Sequence, residues 1–299
     1  MDAFSAQQHL LPAAIFLAML AVGMDLSLRQ FRALIREPRV PVVGTFVHTL
    51  TFPLVAVMAV VGLRAIGVPL AEATVLGVLL IAACPSGGFS NILTLMARTN
   101  LPLSIVLTAV SSVFSFASVP LLMLAFSTLV PELKGPVALP IGQILAQLAL
   151  LVLAPVVIGM ALAANWRALT PARIAAVQRW TQLALYAVVA LVIAENFAVM
   201  RAHFFTVLPW SVGLCAVNTV ACFGLSRGAG LNVDDAITVA LEGSVRNLGV
   251  AFLIAANTLE RMDIAVLPTV YFLTVLVISI AFAKNWRRLP GFKPAREVT

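Results

Sequence analysis

Long stretches of this chain carry no charged residue, and they constrain its fold more than any other feature. The runs Leu101–Pro131 and Gly135–Trp166 each exceed the roughly 20 apolar residues that a membrane-spanning helix needs. Of the 299 residues, 62% are hydrophobic and 10% are charged, whereas about 25% of the residues of a soluble domain are charged. Because so few charges cannot cover a soluble chain of this length, the surplus apolar surface requires lipid. The composition excludes a soluble enzyme, a nucleic-acid-binding protein and a disordered scaffold.

The uncharged runs predict an all-α polytopic membrane protein with nine transmembrane helices. The predicted segments are residues 10–26, 40–63, 71–98, 101–129, 138–164, 178–199, 206–226, 235–257 and 264–284. Segment 71–98 is either one interrupted span or two short ones. The first ten residues lack the basic start of a cleaved signal peptide, so the first segment is interpreted as a permanent span.

The positive charges predict how the chain is oriented. When the N-terminus is placed outside, the loops on the inner side receive 14 of the 19 Lys and Arg residues and the loops on the outer side receive 4. The remaining arginine, Arg246, lies inside a span. Because cytoplasmic loops are enriched in positive charge, this asymmetry predicts an N-terminus outside and a C-terminus inside. The topology also explains the net charge of +7, so we predict no nucleic-acid partner.

The three cysteines, Cys84, Cys215 and Cys222, lie in apolar stretches without CxxC spacing or a nearby His cluster. A disulfide framework or a zinc site is therefore not expected. Asp234 and Asp235 precede the eighth segment and are interpreted as an N-cap and dipole partners of its helix.

Two of the predicted spans are interrupted by small and polar residues. The third contains the sequence CPSGGFSN over residues 84–91, and the eighth contains EGSVRNLG over residues 242–249. Unwound backbone at membrane depth is tolerated only where it is buried in protein or lines a watery cavity. The interruptions lie five spans apart and therefore have opposite orientations. Paired interruptions of this kind are the best sequence indication of a transporter's binding site.

The residues at these interruptions, together with the segment that follows the first one, resemble the bile acid:sodium symporter family. The matching positions are Cys84-Pro85, Gly87-Gly88, Ser90-Asn91, Leu103-Ser104, Thr108, Glu242, Asn247 and Gly249. The resemblance extends from Gly23-Met24 to about Phe282. It implies an inverted-repeat transporter with a panel domain, a core domain, and two broken helices that cross at the membrane midplane. The implied division is a single transporter domain over 1–299, with a first repeat at 10–129 lacking its first helix, a second repeat at 138–284, and a cytoplasmic tail at 285–299.

The resemblance also implies an intact first sodium site. The family's ligands match Ser90, Asn91, Ser104, Thr108 and Glu242. Ser104 and Thr108 are four residues apart and therefore share one helical face. Hydroxyl, amide and carboxylate oxygens are the ligands that a hard cation prefers. One Na⁺ is thus the only bound ion expected, and no other cofactor is predicted.

The family's second sodium site is altered. Its two glutamine ligands match Arg246 and His48. A guanidinium only donates hydrogen bonds and remains charged, so Arg246 cannot ligate sodium. We therefore interpret Arg246 as a tethered cation that replaces the ion beside Glu242.

Two interpretations of Arg246 and two of His48 remain open. Arg246 either forms a closed ion pair with Glu242 at i−4, or it faces the cavity and attracts a substrate carboxylate or sulfonate. His48 is either a satisfied polar group or a carrier of a coupling proton, since its unperturbed pKa is about 6.5. Asn247 completes the predicted set of substrate- and ion-binding residues.

The predicted function is secondary active transport of small organic anions by alternating access, with reduced or absent sodium coupling. Candidate substrates are bile-acid-like, keto-acid, pantoate-like and sulfonate compounds, and the predicted location is the bacterial cytoplasmic membrane. One-sodium or proton coupling is the alternative. A sensor built on a transporter fold and a membrane enzyme are more remote, because no HExxH motif or paired catalytic aspartates occur on the spans. The oligomeric state is not predicted.

Overall fold

The computed structural model describes residues 6–25, 38–129, 140–166 and 169–288, and these ranges are almost entirely helical. The helices are α1 (Ala6–Asp25), α2 (Arg39–Ala65), α3 (Glu72–Ala83), α4 (Phe89–Ala97), α5 (Leu101–Leu129), α6 (Ile141–Asn165), α7 (Pro171–Glu195), α8 (Phe197–Gly228), α9 (Val233–Ser244), α10 (Leu248–Thr258) and α11 (Met262–Asn285). Within α6 and α10, residues 149–153 and 253–258 form wider π-helical turns.

Six helices in the described ranges are long and apolar enough to cross a membrane: α2, α5, α6, α7, α8 and α11. Three shorter helical stretches, in α1, α3 and α10, are also apolar. Large apolar side chains such as Phe205 and Val277 are 80% and 72% exposed on the helix surfaces. Exposed apolar surface of this extent indicates contact with lipid. The prediction of an all-helical integral membrane protein is therefore confirmed.

The helix boundaries differ from the predicted segments where charges occur inside helices. Segments 178–199 and 206–226 correspond to α7 and α8, which span 171–195 and 197–228. Both predicted segments begin too late, because the uncharged runs start only after Arg173 and Arg201. Arg173 belongs to α7, and Arg201 belongs to α8. The side chain and backbone N–H of Asn196 bond to the Val192 carbonyl, and this turn separates the two helices.

Trp286 is anchored at the start of the segment predicted as a cytoplasmic tail. Residues 286–288 form a short 3-10 helix, and the Trp286 ring is 1% exposed. Its indole N–H donates to the Ala97 carbonyl at 3.0 Å, which fixes the end of α11 against the end of α4. The first residues of the predicted tail, 285–299, therefore pack against the helices, with the buried indole N–H satisfied by an acceptor. Residues from 289 onward lie outside the described ranges.

The helices pack in two groups. Helix α1 packs along α6 and α7, whereas α2, α3, α4, α5, α8, α9 and α11 pack mainly against one another, and α10 lies between the groups, in contact with α11 and α1. Glycines allow the close crossing of α1 and α6: a Cβ added at Gly23 would lie 2.2 Å from the Val156 carbonyl oxygen, and one at Gly159 would lie 2.2 Å from that of Leu20. The groups meet where α1 and α7 contact the gap between α3 and α4 and the gap between α9 and α10.

Candidate functional site

Two helix breaks form the centre of the candidate site. The first separates α3 from α4 at Cys84–Gly88. Cys84 is extended, with φ −64° and ψ 147°, as expected for the residue before a proline. The second break separates α9 from α10. It contains no proline, but Val245 is also extended, with φ −86° and ψ 116°.

The breaks satisfy each other's backbone hydrogen bonds. Ser86 and Arg246 form an isolated antiparallel β-bridge. The N–H of Gly87 donates to the Val245 carbonyl at 3.2 Å, and the N–H of Asn247 donates to the Pro85 carbonyl at 2.9 Å. A Cβ at Gly87 would lie only 3.1 Å from the Arg246 carbonyl oxygen, so this approach favours glycine. Pairing replaces the helical bonds that each break gives up, as buried backbone requires.

The carboxylate of Glu242 lies beside this crossing and is fully buried. Four hydroxyl groups donate to it. Ser90, Ser104 and Thr108 lie 2.7, 2.5 and 2.9 Å from Oε1, and Ser86 lies 2.5 Å from Oε2. The hydroxyls come from the first break, from α4 and from α5, so three parts of the fold converge on one carboxylate.

The structure brings together all five residues predicted for the first cation site. Asn91 completes the group, because its Oδ1 lies 2.8 Å from the Ser104 hydroxyl oxygen. Sequence reasoning missed Ser86, although its position inside the first break was an available signal. A carboxylate, four hydroxyls and an amide oxygen suit a hard monovalent cation. Within the described residues no group of three His, Cys, Asp or Glu side chains could hold a metal ion.

Of the two interpretations of Arg246, the closed ion pair with Glu242 is absent; both residues are within the described part of the chain, and no salt bridge joins them. The guanidinium is 4% exposed. It donates to the carbonyl of Cys84 at 3.0 Å and to that of His48 at 2.9 Å, and its Cζ lies 4.7 Å from the centre of the Phe52 ring. The ion-pair interpretation assumed helical i−4 spacing, but α9 ends at Ser244 and Arg246 lies in the β-bridge that follows.

The other two predicted residues occupy structural positions next to the breaks. The Oδ1 of Asn247 accepts from the Val250 N–H at 3.2 Å and caps α10, while its amide nitrogen lies 3.9 Å from the sulfur of Met19. His48 is fully buried. Its carbonyl accepts from Arg246, and its Nδ1 has no hydrogen-bond partner in the described structure.

The N-cap of α9 is Asn232 rather than an aspartate. Its Oδ1 accepts from the Asp235 N–H at 2.8 Å, whereas the Asp235 carboxylate accepts from side-chain amides. The expectation that an aspartate caps this helix is therefore wrong, because Asn232 already occupies the extended N-cap position.

A membrane-embedded helical bundle in which two interrupted helices meet at buried polar side chains is the architecture of a secondary transporter. Residues 12–203 match the model of the sodium bile acid symporter family. The chain belongs to this family and is a transmembrane transporter; the prediction of a transporter rather than an enzyme is confirmed.

Several relatives align over most of the chain. An uncharacterized sodium-dependent transporter, YocS, of Bacillus subtilis is 25% identical over 93% of this chain and 79% of its own length. The ileal sodium/bile acid cotransporter of Cricetulus griseus is 27% identical over 89% of this chain and 74% of its own length. The probable sodium/metabolite cotransporter BASS1 of rice chloroplasts is 26% identical over 92% of this chain but only 65% of its own length.

Proposed function

We propose that the chain couples the transport of a small organic anion to one sodium ion, by alternating access. The sodium ion binds at Glu242 with oxygens of Ser90, Asn91, Ser104 and Thr108. The convergence of these five side chains supports the site. The printed names of the relatives, which are sodium-dependent transporters and sodium/bile acid cotransporters, support the ion.

The position of Arg246 supports the proposal that only one sodium ion binds. Carbonyl oxygens from two different helical elements converge on its guanidinium, and this is an arrangement that would also suit a bound cation. Because Arg246 does not pair with Glu242, the carboxylate stays available to sodium. The second sodium is thus replaced by a side chain, and His48 contributes its carbonyl rather than its imidazole.

Charge balance supports an anionic substrate. With sodium at Glu242, the fixed charge of Arg246 leaves one excess positive charge in a region of low dielectric, and an anion would compensate it. Arg246 acts mainly through its field, since its Nη1 and Nη2 already donate to carbonyls and its Nε is buried without a hydrogen-bond partner among the described residues. Bile-acid-like, keto-acid, pantoate-like and sulfonate compounds all meet this requirement.

The proposed arrangement in the bacterial inner membrane has nine spans, with the N-terminus outside and the C-terminus inside. Helices α1, α6 and α7 form the panel domain, and the second group forms the core. The two groups observed in the packing support this division, as do the crossed breaks. The repeats 10–129 and 138–284 follow from the placement of one break in each.

The test is uptake into proteoliposomes of labelled taurocholate, pantoate, a branched keto acid and a short alkyl sulfonate, with and without an inward sodium gradient. We expect wild-type uptake to require sodium with a Hill coefficient near one, because one carboxylate remains to neutralise one ion. Arg246→Gln removes the tethered cation and should either raise the sodium coefficient or abolish transport. Arg261→Gln is the matched control, since Arg261 is partly exposed and pairs with Asp263 at the surface.

Two outcomes would contradict the proposal. A wild type that transports two sodium ions per substrate would show that Arg246 does not replace an ion. Uptake that does not depend on sodium but follows a pH gradient would show that a proton is the coupling ion. The His48→Ala variant would then show whether the imidazole carries that proton.

A further inference from the structure

A buried polar seam leads from Glu242 to the start of α9. Asp235, Thr238 and Glu242 follow each other at intervals of three and four residues and therefore share one face of the helix. Their side chains are 6%, 0% and 0% exposed. Seven residues of α-helix span about 10 Å along the axis, so the seam connects the proposed cation site with the end of the helix.

Polar groups at the junction of α4 and α5 form the opposite wall of this seam. The side-chain amide of Asn100 donates to Asp235 Oδ1 at 2.7 Å, and its backbone N–H donates to the Thr238 hydroxyl at 3.1 Å. The Thr238 hydroxyl lies 3.0 Å from that of Thr99. One turn further along, the Thr94 hydroxyl lies 3.2 Å from that of Ser104, which in turn reaches Glu242. Oxygen atoms thus occur at each turn between the two carboxylates.

Helix capping does not account for Asp235. Asn232 already caps α9, and the Oδ1 of Asn100 accepts from the Leu103 N–H at 3.1 Å at the start of α5. Both caps use amide oxygens and need no carboxylate. Asp235 instead lies between the amide groups of Asn100 and Asn232, and no salt bridge to it forms among the described residues. A buried carboxylate without a counter-ion is costly, and a cation offsets that cost.

We propose that Asp235 is a relay site through which the sodium ion passes between Glu242 and the cytoplasmic side. This inference rests on the proposed function, because it requires a cation at Glu242 and α9 starting at the inner face. In the proposed topology the seam opens at the end of the core that carries Arg98, Arg227 and Arg287. The carboxylate of Asp235 supplies the attraction that draws the ion away from Glu242, and the hydroxyls between them supply intermediate ligands.

The experiment measures binding and release of ²²Na⁺ by the purified full-length protein in detergent. A residue on the ion's route alters the rates of entry and release together and leaves the equilibrium affinity nearly unchanged. We expect Asp235→Asn to slow ²²Na⁺ release about tenfold, with a dissociation constant within about threefold of the wild type. Asp263→Asn is the control, because Asp263 is partly exposed and pairs with Arg261 on the outer side of the proposed topology, and it should release ²²Na⁺ at the wild-type rate.

Thr238 provides a second pair of variants if Asp235→Asn does not yield a monodisperse protein. Thr238→Val should slow release, and Thr238→Ser, which keeps the hydroxyl, should restore it. Unchanged release in Asp235→Asn, or weaker binding with proportionally faster release, would overturn the relay and leave Asp235 as a structural or long-range electrostatic group. Failure of the proposed function would be seen separately, as a wild type that binds no ²²Na⁺.

Discussion

At the scale of single residues, the surroundings of Glu242 explain how one carboxylate can remain buried with or without a cation. Its partners Ser86, Ser90, Ser104 and Thr108 are hydroxyl groups, and each hydroxyl is both a donor and an acceptor. The hydroxyls donate to the carboxylate in the described structure. By rotating, the same oxygens could direct lone pairs at a sodium ion without any change in the backbone.

We expect Glu242→Gln to abolish stabilisation of the protein by sodium. A ligand at about 100 times its dissociation constant stabilises a folded protein by about 2.7 kcal/mol, and the neutral amide removes the charge that attracts the ion. The measurement is the thermal unfolding midpoint in detergent, in sodium and in choline buffers.

Thr269→Val is the control for Glu242→Gln. The Thr269 hydroxyl is buried but bonds only to the Ala265 carbonyl of its own helix. This variant should keep the full sodium effect. If sodium raised the unfolding midpoint of Glu242→Gln as much as that of the wild type, sodium would bind elsewhere.

At the scale of helices, small residues determine how closely neighbouring elements approach. The crossing of α1 and α6 depends on Gly23 and Gly159, because the positions of their missing side chains are occupied by backbone atoms of the other helix. Van der Waals packing is a main source of helix association in a membrane, and small residues permit it. This contact holds together the group of helices that faces the breaks.

We expect Gly159→Ala to lower the free energy of unfolding by about 1–3 kcal/mol, since an added methyl group would force α1 and α6 apart. Gly213→Ala is the matched control, because nothing lies within 4 Å of the position of its Cβ. Alanine favours helix by up to about 1 kcal/mol over glycine, so the control should be neutral or slightly stabilising. Equal unfolding midpoints for the two variants, measured in the same detergent, would show that this crossing is not tightly packed.

At the scale of the whole molecule, the proposed cation site and the surface that covers it belong to different groups of helices. All side chains around Glu242 come from the second group. The first group contacts the breaks through apolar and uncharged polar side chains. Leu185 would lie 3.3 Å from a Cβ added at Gly249, and the Gln182 amide oxygen would lie 3.5 Å from one added at Gly88. The ring centroids of Tyr186 and Phe272 lie 5.1 Å apart, with the rings tilted by 42°. In the proposed alternating access, the group of α1, α6 and α7 could therefore move without separating the proposed ligands around Glu242.

The orientation of the whole molecule can be tested with two introduced cysteines. Ile66 is 76% exposed between α2 and α3, and Gly228 ends α8 with open space around it. Because of the positive-charge asymmetry, we expect a membrane-impermeant maleimide to label Ile66→Cys in intact cells, and Gly228→Cys only after permeabilisation. The three native cysteines are buried and give little background. The reverse labelling pattern would show that the N-terminus lies inside and the C-terminus outside.

Much of this organisation could be predicted from the sequence because it depends on local chemistry. Proline, glycine and polar residues in apolar runs indicated where the helices break, and hydroxyl spacing on α5 indicated which side chains share a face. The partner of Arg246 could not be predicted in the same way. It depends on the extended backbone after Ser244 and on carbonyls of Cys84 and His48, which belong to other elements. The starts of α7 and α8 were misplaced because Arg173 and Arg201 lie inside these helices, and a single charge does not end a helix.

The pairing of the two breaks also has a consequence for synthesis of the protein. Arg246 donates to the Cys84 carbonyl across 162 residues of sequence. The Pro85 carbonyl likewise accepts from the N–H of Asn247, which is synthesised much later. While the ribosome is still making the second half, the first break is in the membrane without these partners, and unsatisfied backbone groups there are costly. In the nascent protein, the first break must therefore stay in contact with water or with the membrane-insertion machinery until the second break is inserted. Ribosome-nascent chains that stop before residue 245 should therefore be more open to proteolysis at residues 84–88 than the finished transporter.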